Sequence, residues 1–185
     1  MKLKIKSYFS SSEVLQYLEE IKLKKKISVK QTSLKKLNEW DISKKGFLIH
    51  QTGRFFSIVG CNVGKKQQPF LLQQDIGILG FLRKKVSSEY LYLFQLKVEP
   101  GNINNIQLAP TVQATSSNYQ RAHKGGKTKL LELFLNNDEN IIFDIKQNEQ
   151  GYRYIEKYNR NMVVELNEDI DFDDNFIWIN KKTVE

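Results

Sequence analysis

Two neighbouring stretches of alternating polar and apolar residues, separated by a tight turn, constrain this chain more than any other feature of its sequence. In residues 90–99 apolar side chains recur at every second position, and residues 107–115 repeat the pattern after the turn sequence Pro100-Gly101-Asn102. Side chains of a strand point alternately to its two faces. Each stretch therefore predicts a strand with one apolar face and one polar face.

Hydrogen-bonding side chains make up the polar faces of these two predicted strands. They are Gln95, Lys97 and Glu99 on the first strand and Gln107, Thr111, Gln113 and Thr115 on the second. If the strands pair, their polar faces form one floor, and the alternative is an ordinary face exposed to solvent. The continuation at 116–123 favours a floor, because it supplies amide, hydroxyl, guanidinium and imidazole groups instead of long solubilising side chains. Such groups suit a hydroxylated ligand with a phosphate, which Arg binds in a bidentate manner.

Residues 1–45 predict a helical, Lys-rich N-terminal region. Ser10 and Glu13 have the spacing of a capping box, in which the two residues satisfy each other's backbone amides. Apolar residues then recur at helical spacing. A second, shorter apolar period extends to Trp40, which is either a stacking platform for a ligand or a core anchor at a helix end.

Residues 46–185 predict short strands separated by turns. Strands are expected at 47–49, 54–59, 76–82, 90–99, 107–115, 141–145 and 162–166. A charged turn at 83–89, a polar loop at 116–127 and a short helix at 128–135 complete the pattern, while 152–159 fits either a helix or a strand. No linker divides the chain, so we expect one α+β domain whose mixed or mostly antiparallel sheet is flanked by helices.

The net charge of +8 is concentrated at the N-terminal end of the chain. Residues 1–45 contain 12 Lys and 5 acidic residues, whereas the 17 basic and 16 acidic residues of the remainder nearly cancel. A basic patch is the electrostatic footprint of a nucleic-acid-binding protein. Here the excess is Lys within a predicted helical region, which favours a solvated Lys-rich face over a polyanion site. We therefore rank a nucleic-acid-binding module last among the candidate functions.

Several classes of protein are disfavoured by what the sequence lacks. It has no run of about 18 apolar residues that would span a membrane, and no apolar stretch follows the basic N-terminus as in a signal peptide. The single Cys61 cannot form an internal disulfide. We expect a cytoplasmic protein. Without a glycine-rich dinucleotide motif or a His/Cys cluster, we expect neither a cofactor nor a metal.

Several motifs together resemble the NDP-hexose 2,3-dehydratase family. They are KVEPGN at 97–102, QLAPTVQATSSNY at 107–119 and HKGG at 123–126, with further elements at 53–56, 74–80, 149–151, 159–161 and 176–178. The resemblance extends from about Trp40 onwards. Members of this family usually carry two tandem copies of the unit, whereas this chain has room for one.

The resemblance implies a Nudix-like fold, with a mixed sheet between helices. The clustered Arg and Glu residues of the Nudix hydrolase box are missing, so we do not expect metal-dependent cleavage of a pyrophosphate.

The resemblance also implies a lyase. It would remove water across C2 and C3 of an NDP-4-keto-6-deoxyhexose, most simply dTDP-linked, in deoxysugar biosynthesis. The product would be a 3,4-diketo-2,6-dideoxy sugar nucleotide, which a downstream 3-ketoreductase would consume. The elimination involves no net redox change, so it requires neither NAD nor pyridoxal phosphate.

Such a reaction needs a base, an acid and donors for the developing enolate oxygen. We predict Glu99 as the base, Lys97 as the group that lowers its pKa or donates to the enolate, and Tyr119 and His123 as candidate acids. Each has a structural alternative: Glu99 as the ion-pair partner of Lys97, Tyr119 as a packed aromatic residue, and His123 as a residue that orients a loop. The expected substrate contacts are Arg54, Gln74, Gln113, Thr115, Asn118, Arg121 and Arg160. Of the three arginines, Arg54 is the preferred contact for the pyrophosphate.

The main alternative function is a non-catalytic half that binds the nucleotide sugar beside a second subunit. We also expect a homodimer. Relatives with two copies of the unit place them side by side, and a lone unit would expose the equivalent surface to a second copy of itself.

Overall fold

β-Strands are the main regular elements in the computed structural model, which describes residues 7–8, 10–115 and 128–184. The strands are β1 (Ser7–Tyr8), β2 (Trp40–Ile42), β3 (Leu48–His50), β4 (Ser57–Val63), β5 (Lys66–Leu72), β6 (Gly77–Val86), β7 (Glu89–Val98), β8 (Ile106–Pro110), β9 (Val112–Thr115), β10 (Ile141–Asn148), β11 (Tyr154–Ile155), β12 (Tyr158–Glu165) and β13 (Phe176–Asn180). The helices are α1 (Ser11–Lys24), α2 (Glu132–Leu135) and α3 (Lys181–Val184), with 3₁₀ turns at Leu34–Lys36 and Asp138–Asn140.

These strands form two mixed sheets. The larger sheet has the order β1-β13-β7-β6-β12-β10, with β8 beside β7 and β9 beside β6, and the smaller has the order β11-β5-β4-β3-β2. Strand β12 runs parallel to β6, β1 parallel to β13, and β11 parallel to β5, whereas the remaining pairs are antiparallel. The predicted α+β class with a mixed sheet is confirmed, and the Nudix-like form of it stays a prediction.

The β6–β7 hairpin opens into a fork, and the run from β8 to β9 fills the opening. Strand β6 pairs with β7 over residues 82–86 but with β9 over residues 77–80. Strand β7 pairs with β6 over residues 89–93 and then with β8 over residues 94–98. The chain therefore crosses from one arm of the fork to the other between β8 and β9.

A buried threonine marks this crossing. The prediction of one continuous strand over 107–115 is wrong, because the strand breaks at Thr111, which is 1% exposed. The Thr111 hydroxyl donates a hydrogen bond to the Leu93 carbonyl and accepts one from the Leu82 amide at 3.0 Å. It thus joins the two arms of the fork at the point where they separate.

Helix α1 packs across one face of the larger sheet. Its predicted capping box is confirmed: the Ser10 hydroxyl accepts from the Glu13 amide at 3.4 Å, and the Glu13 carboxylate accepts from the Ser10 amide at 3.2 Å. Val14, Tyr17 and Ile21 are buried in a cluster that the inner side chains of β7, β8 and β13 complete. This helix is therefore part of the domain core.

The prediction of helix throughout 1–45 is wrong beyond Lys24. The exposed, Lys-rich residues 25–33 offer no continuous apolar face that could pack a helix against the sheet. Trp40 begins β2, and its ring lies 5.2 Å from the ring of His50 and 5.0 Å from that of Phe56. It is thus a packing residue of the smaller sheet.

A second buried cluster covers the opposite face of the larger sheet, where α2 packs. Gly80 of β6 lies directly under the ring of Phe134, and a Cβ at this position would approach the ring to 2.2 Å. Only glycine therefore allows α2 to lie this close to the sheet. Among the described residues, no helix is long and apolar enough to cross a membrane.

We predict that Thr111→Val lowers the free energy of unfolding by about 1–3 kcal/mol, because it preserves shape but removes the hydroxyl that bridges Leu82 and Leu93. Urea denaturation measures this change, and Thr32→Val at an exposed position is the matched control. Equal loss in both variants would show that the bridge does not hold the fork.

Candidate active site

A cavity of about 460 Å³ lies at the open end of the fork, and residues of both sheets line it. Strands β6, β7, β8, β9 and β12 contribute from the larger sheet, and β11 contributes from the smaller one. Its polar lining side chains are Gln73, Lys97, Glu99, Gln113, Thr115, Glu149, Tyr154, Lys157 and Asn159.

One wall of the cavity is the polar floor that the sequence pattern suggested. The Lys97 Nζ lies 3.1 Å from the Glu99 carboxylate and donates to the Gln113 amide oxygen at 3.0 Å. Thr115 lines the same cavity. The structure thus brings together four of the predicted site residues. Their chemical roles stay predictions, and the Lys97–Glu99 ion pair fits both the catalytic and the structural hypothesis.

The turn after β7 fixes the end of this wall. The Asn102 side chain donates to the carbonyls of Lys97 at 3.2 Å and Asn105 at 3.4 Å, and its backbone amide donates to the Glu99 carbonyl at 3.1 Å. Asn105 has a φ of 62°, in the left-handed region that Asn tolerates better than most residues. The predicted turn at 100–102 is confirmed, and it holds the backbone that carries Glu99.

The opposite wall consists of residues to which the sequence analysis assigned no role. Lys157 is 3% exposed, and its ammonium donates to the Asp75 carbonyl. Burial lowers the pKa of Lys157, and the negative charges of Asp75 and Glu149 oppose that shift. Asn159 is 8% exposed and donates from its side-chain amide to the Glu149 carboxylate.

Part of this wall left a signal in the sequence. Glu149 and Asn159 lie in the short elements 149–151 and 159–161 that resemble the dehydratase family, and these elements could have nominated them. Lys157 lies in the segment whose pattern fits both a helix and a strand. No periodicity there pointed to a buried lysine.

A glycine allows β6 to approach this wall. A Cβ at Gly77 would lie 2.7 Å from the side-chain oxygen of Asn159, and the Asn159 amide would have to move away. Gly77 therefore permits the position from which Asn159 reaches Glu149.

Other predicted substrate contacts do not line the cavity. Arg160 follows Asn159 on β12, so its side chain points to the other face of the sheet, where it forms a bidentate ion pair with Asp144. Arg54 and Gln74 are exposed and lie outside the lining. Their contact with a substrate stays a prediction that this geometry does not support. The remaining candidates lie outside the described residues; they are Asn118, Tyr119, Arg121 and His123.

The described ranges contain no group of three or more His, Cys, Asp or Glu side chains that could hold a metal ion. The chemistry available at the cavity is that of carboxylates, ammonium groups, amides and hydroxyls. Such a set can transfer protons and stabilise a developing negative charge.

Comparisons with known proteins agree on one family. The family described as NDP-hexose 2,3-dehydratase matches residues 11–185. The dTDP-4-dehydro-6-deoxy-alpha-D-glucopyranose 2,3-dehydratase of Amycolatopsis orientalis is 44% identical over 147 residues, which are 72% of this chain and 31% of that protein. The enzyme of the same name from Saccharopolyspora spinosa is 40% identical over 140 residues, 71% of this chain and 29% of that protein.

The chain spans about a third of the length of the curated relatives it matches. Among solved structures, the T. brucei MERS1-GDP complex is similar over 60% of this chain and 51% of that chain, with a TM-score of 0.39 and 13% identity. A likeness of this size assigns no fold.

We predict that Asp144→Asn weakens the acid dependence of stability. Hydrogen bonding to Arg160 lowers the pKa of Asp144 from its ordinary value of 3.8, so its carboxylate stabilises the fold above that pH. This contribution is lost as pH falls through the lower pKa of the folded state. The difference in unfolding free energy between wild type and variant should therefore be largest at neutral pH and shrink below pH ~4.

Urea denaturation at several pH values between 7 and 3 measures this difference, with Asp171→Asn at an exposed position as the control. A difference in unfolding free energy that stays constant from pH 7 to pH 3 would contradict the assignment of the lowered Asp144 pKa to Arg160.

Proposed function

Because this chain belongs to the NDP-hexose 2,3-dehydratase family, we propose that it eliminates water across C2 and C3 of an NDP-4-keto-6-deoxyhexose. The dTDP-linked sugar is the proposed substrate, since the curated relatives are named for its 4-dehydro-6-deoxyglucose form. The observation that carries the proposal is the convergence of Lys97, Glu99, Gln113 and Thr115 on one cavity. All four lie in the motifs at 97–102 and 107–119 that resemble the family.

The cavity has the size and chemistry for the sugar. Its volume of about 460 Å³ falls within the 300–1,000 Å³ of typical small-molecule sites. Amide and hydroxyl groups line it, and its two lysines and two glutamates balance in charge. This lining suits a neutral hexose better than a pyrophosphate. We therefore place the hexose here and the phosphates towards groups outside the lining.

The reaction begins at the carbon next to the ketone. The C4 carbonyl acidifies the C3 proton, and Glu99 takes this proton while the electron pair moves into a C3–C4 enolate. The enolate then reforms the ketone, a C2–C3 double bond forms, and the C2 hydroxyl leaves as water with a proton from a general acid. Tautomerisation of the C3 enol gives the 3,4-diketo sugar. Tyr119 and His123 are the proposed acids.

Lys97 is suited to assist Glu99. Its Nζ lies 3.1 Å from the Glu99 carboxylate, and the hydrogen bond that it donates to Gln113 orients the lysine side chain. The ion pair fixes the position of the carboxylate that acts as the proposed base. Gln113 and Thr115 then remain as contacts for sugar hydroxyls.

The product defines the next reaction. A 3,4-diketo sugar is reactive, and a 3-ketoreductase that uses NADPH is the proposed consumer. A cytoplasmic location stays a prediction from the sequence.

A homodimer has a candidate surface at the edge of the larger sheet. Strand β10 pairs with β12 on one side, and the described residues provide no strand on its other side. Its Ile142, Phe143 and Ile145 are 42–46% exposed. An exposed apolar edge strand is a template for pairing with another chain.

The sequence of β10 complements itself. If two copies pair antiparallel about Ile145, Asp144 of each strand lies opposite Lys146 of the other. The larger sheet would then continue across a two-fold axis into a second copy of the chain. In each copy, the exposed Phe143 would gain contacts with the partner strand.

We expect the purified chain to convert dTDP-4-keto-6-deoxyglucose to a product lighter by one water, which a 3-ketoreductase with NADPH traps for mass spectrometry. Glu99→Gln should lower kcat about 10²- to 10⁴-fold, as loss of a general base does. Glu139→Gln at an exposed position should not change kcat.

Full turnover by Glu99→Gln would remove Glu99 as the base. Saturable binding of the sugar nucleotide by a wild type without turnover would instead favour the non-catalytic half. Absence of both turnover and binding in the wild type would refute the proposed function.

We also expect sedimentation equilibrium to show a dimer at micromolar concentration. Ile145→Lys, which places a charge on the apolar edge of β10, should shift the mass to that of a monomer. Ile42→Lys is the matched control, because Ile42 is 64% exposed on β2, the edge strand of the smaller sheet. A wild-type monomer, or two variants that behave alike, would rule out this interface.

A further inference from the structure

A buried lysine on the wall opposite Glu99 has no part in the mechanism above. Lys157 is 3% exposed, yet its side chain lines the cavity. An ammonium group has three N–H donors. Among the described residues one of them has a hydrogen-bond acceptor, the Asp75 carbonyl, so the group retains donors for a ligand.

The backbone turns sharply to bring Lys157 inward. Residue Glu156 has a φ of 49°, in the left-handed region that residues other than Gly and Asn rarely adopt. This residue lies between β11 of the smaller sheet and β12 of the larger one. The strained turn therefore sits where the chain passes from one sheet to the other, and Lys157 is the first residue after it.

Two neighbours hold the surroundings of Lys157 in place. The Glu149 amide donates to the Lys157 carbonyl at 2.7 Å, and the Glu149 carboxylate accepts from the Asn159 side chain. Residues 149, 157 and 159 all line the cavity. The negative charge of Glu149 also favours the ammonium form of Lys157. A cation is thus supported at a buried position in the cavity wall.

Lys97 is less suited to stabilise an anion in the cavity. Its side chain is 26% exposed and already contacts Glu99 and Gln113. A charge interacts more strongly where less water surrounds it. Donors aimed at developing charge also act best when they are fixed before the reaction. Lys157, which is buried and anchored to Asp75, meets both conditions better.

We propose that Lys157 is a catalytic residue of this site, whose ammonium donates a hydrogen bond to the C4 oxygen of the sugar as that oxygen becomes an enolate. Glu149 and Asn159 act as positioning residues. The assignment rests on the proposed function. When Glu99 takes the C3 proton, the electron pair of the C3–H bond moves into the C3–C4 bond and the carbonyl electrons move to oxygen. Lys157 keeps its proton throughout, and the water that leaves C2 takes its proton from the separate general acid.

The test separates proton removal from the later loss of water. Wild type, Lys157→Met and Lys157→Arg are incubated in D₂O with dTDP-4-keto-6-deoxyglucose, and deuterium at C3 of recovered substrate and product formation are followed together. Thermal unfolding and the Kd for the substrate are measured for each protein. Lys66→Met, on the exposed start of β5, is the matched control.

Removal of a donor to an oxyanion costs about 10²- to 10³-fold in rate. We expect Lys157→Met to lose this factor in kcat and in C3 exchange, with a Kd within about 3-fold of wild type. Lys157→Arg, which keeps a cationic donor, should recover part of the rate. Lys66→Met should match wild type.

Wild-type rates in a folded Lys157→Met variant would overturn the assignment and leave the proposed function intact. Lower stability and weaker binding in both Lys157 variants, without a specific loss of kcat in Lys157→Met, would assign a structural role instead. Absence of both C3 exchange and turnover in the wild type would refute the proposed function, and the role of Lys157 with it.

Discussion

The hydroxyl of Thr111 is the interaction on which the rest of the structure depends. The register of β7 with β8 places Pro110 opposite Phe94, and an unbroken strand would carry Gln113 opposite residue 91. That position is six residues from Lys97, or about 20 Å along a strand. The break at Thr111 instead directs β9 onto β6, and the Lys97 ammonium lies 3.0 Å from the Gln113 amide oxygen. The cavity exists because the strand changes partner.

The fork also explains the distribution of charge around the cavity. Two strands that separate leave polar side chains facing the cavity between them. Lys97 pairs with Glu99 on one wall, and Lys157 lies near Glu149 on the other, so each ammonium has a carboxylate for a neighbour. Removal of a charge from water is unfavourable, and a neighbouring opposite charge offsets part of that cost. The pairs therefore allow charged groups to remain at a site where screening is weak, which is where acid–base chemistry benefits from them.

Local patterns predicted the elements that local interactions determine. The capping box at Ser10 and the alternation in β7 were both correct, because each depends on residues within a few positions of one another. The break at Thr111 escaped prediction, since polar and apolar residues alternate straight through it and its cause is a contact with two distant strands. Trp40 was misassigned for a related reason. The apolar period that extends to Trp40 predicted a helix, whereas the structure has a 3₁₀ turn at Leu34–Lys36 followed by strand β2.

The two walls of the site differ in the same respect. Lys97, Glu99, Gln113 and Thr115 share one pattern in neighbouring segments, and the sequence nominated all four. The other wall is formed through the parallel pairing of β12 with β6. This pairing places Asn159 beside Gly77, which lies 82 positions earlier in the chain. Alternation reports the face that a residue occupies and not the strand that lies beside it. Within 159–161, this register directs the asparagine into the cavity and turns Arg160 towards Asp144, so the amide and not the guanidinium lines the cavity.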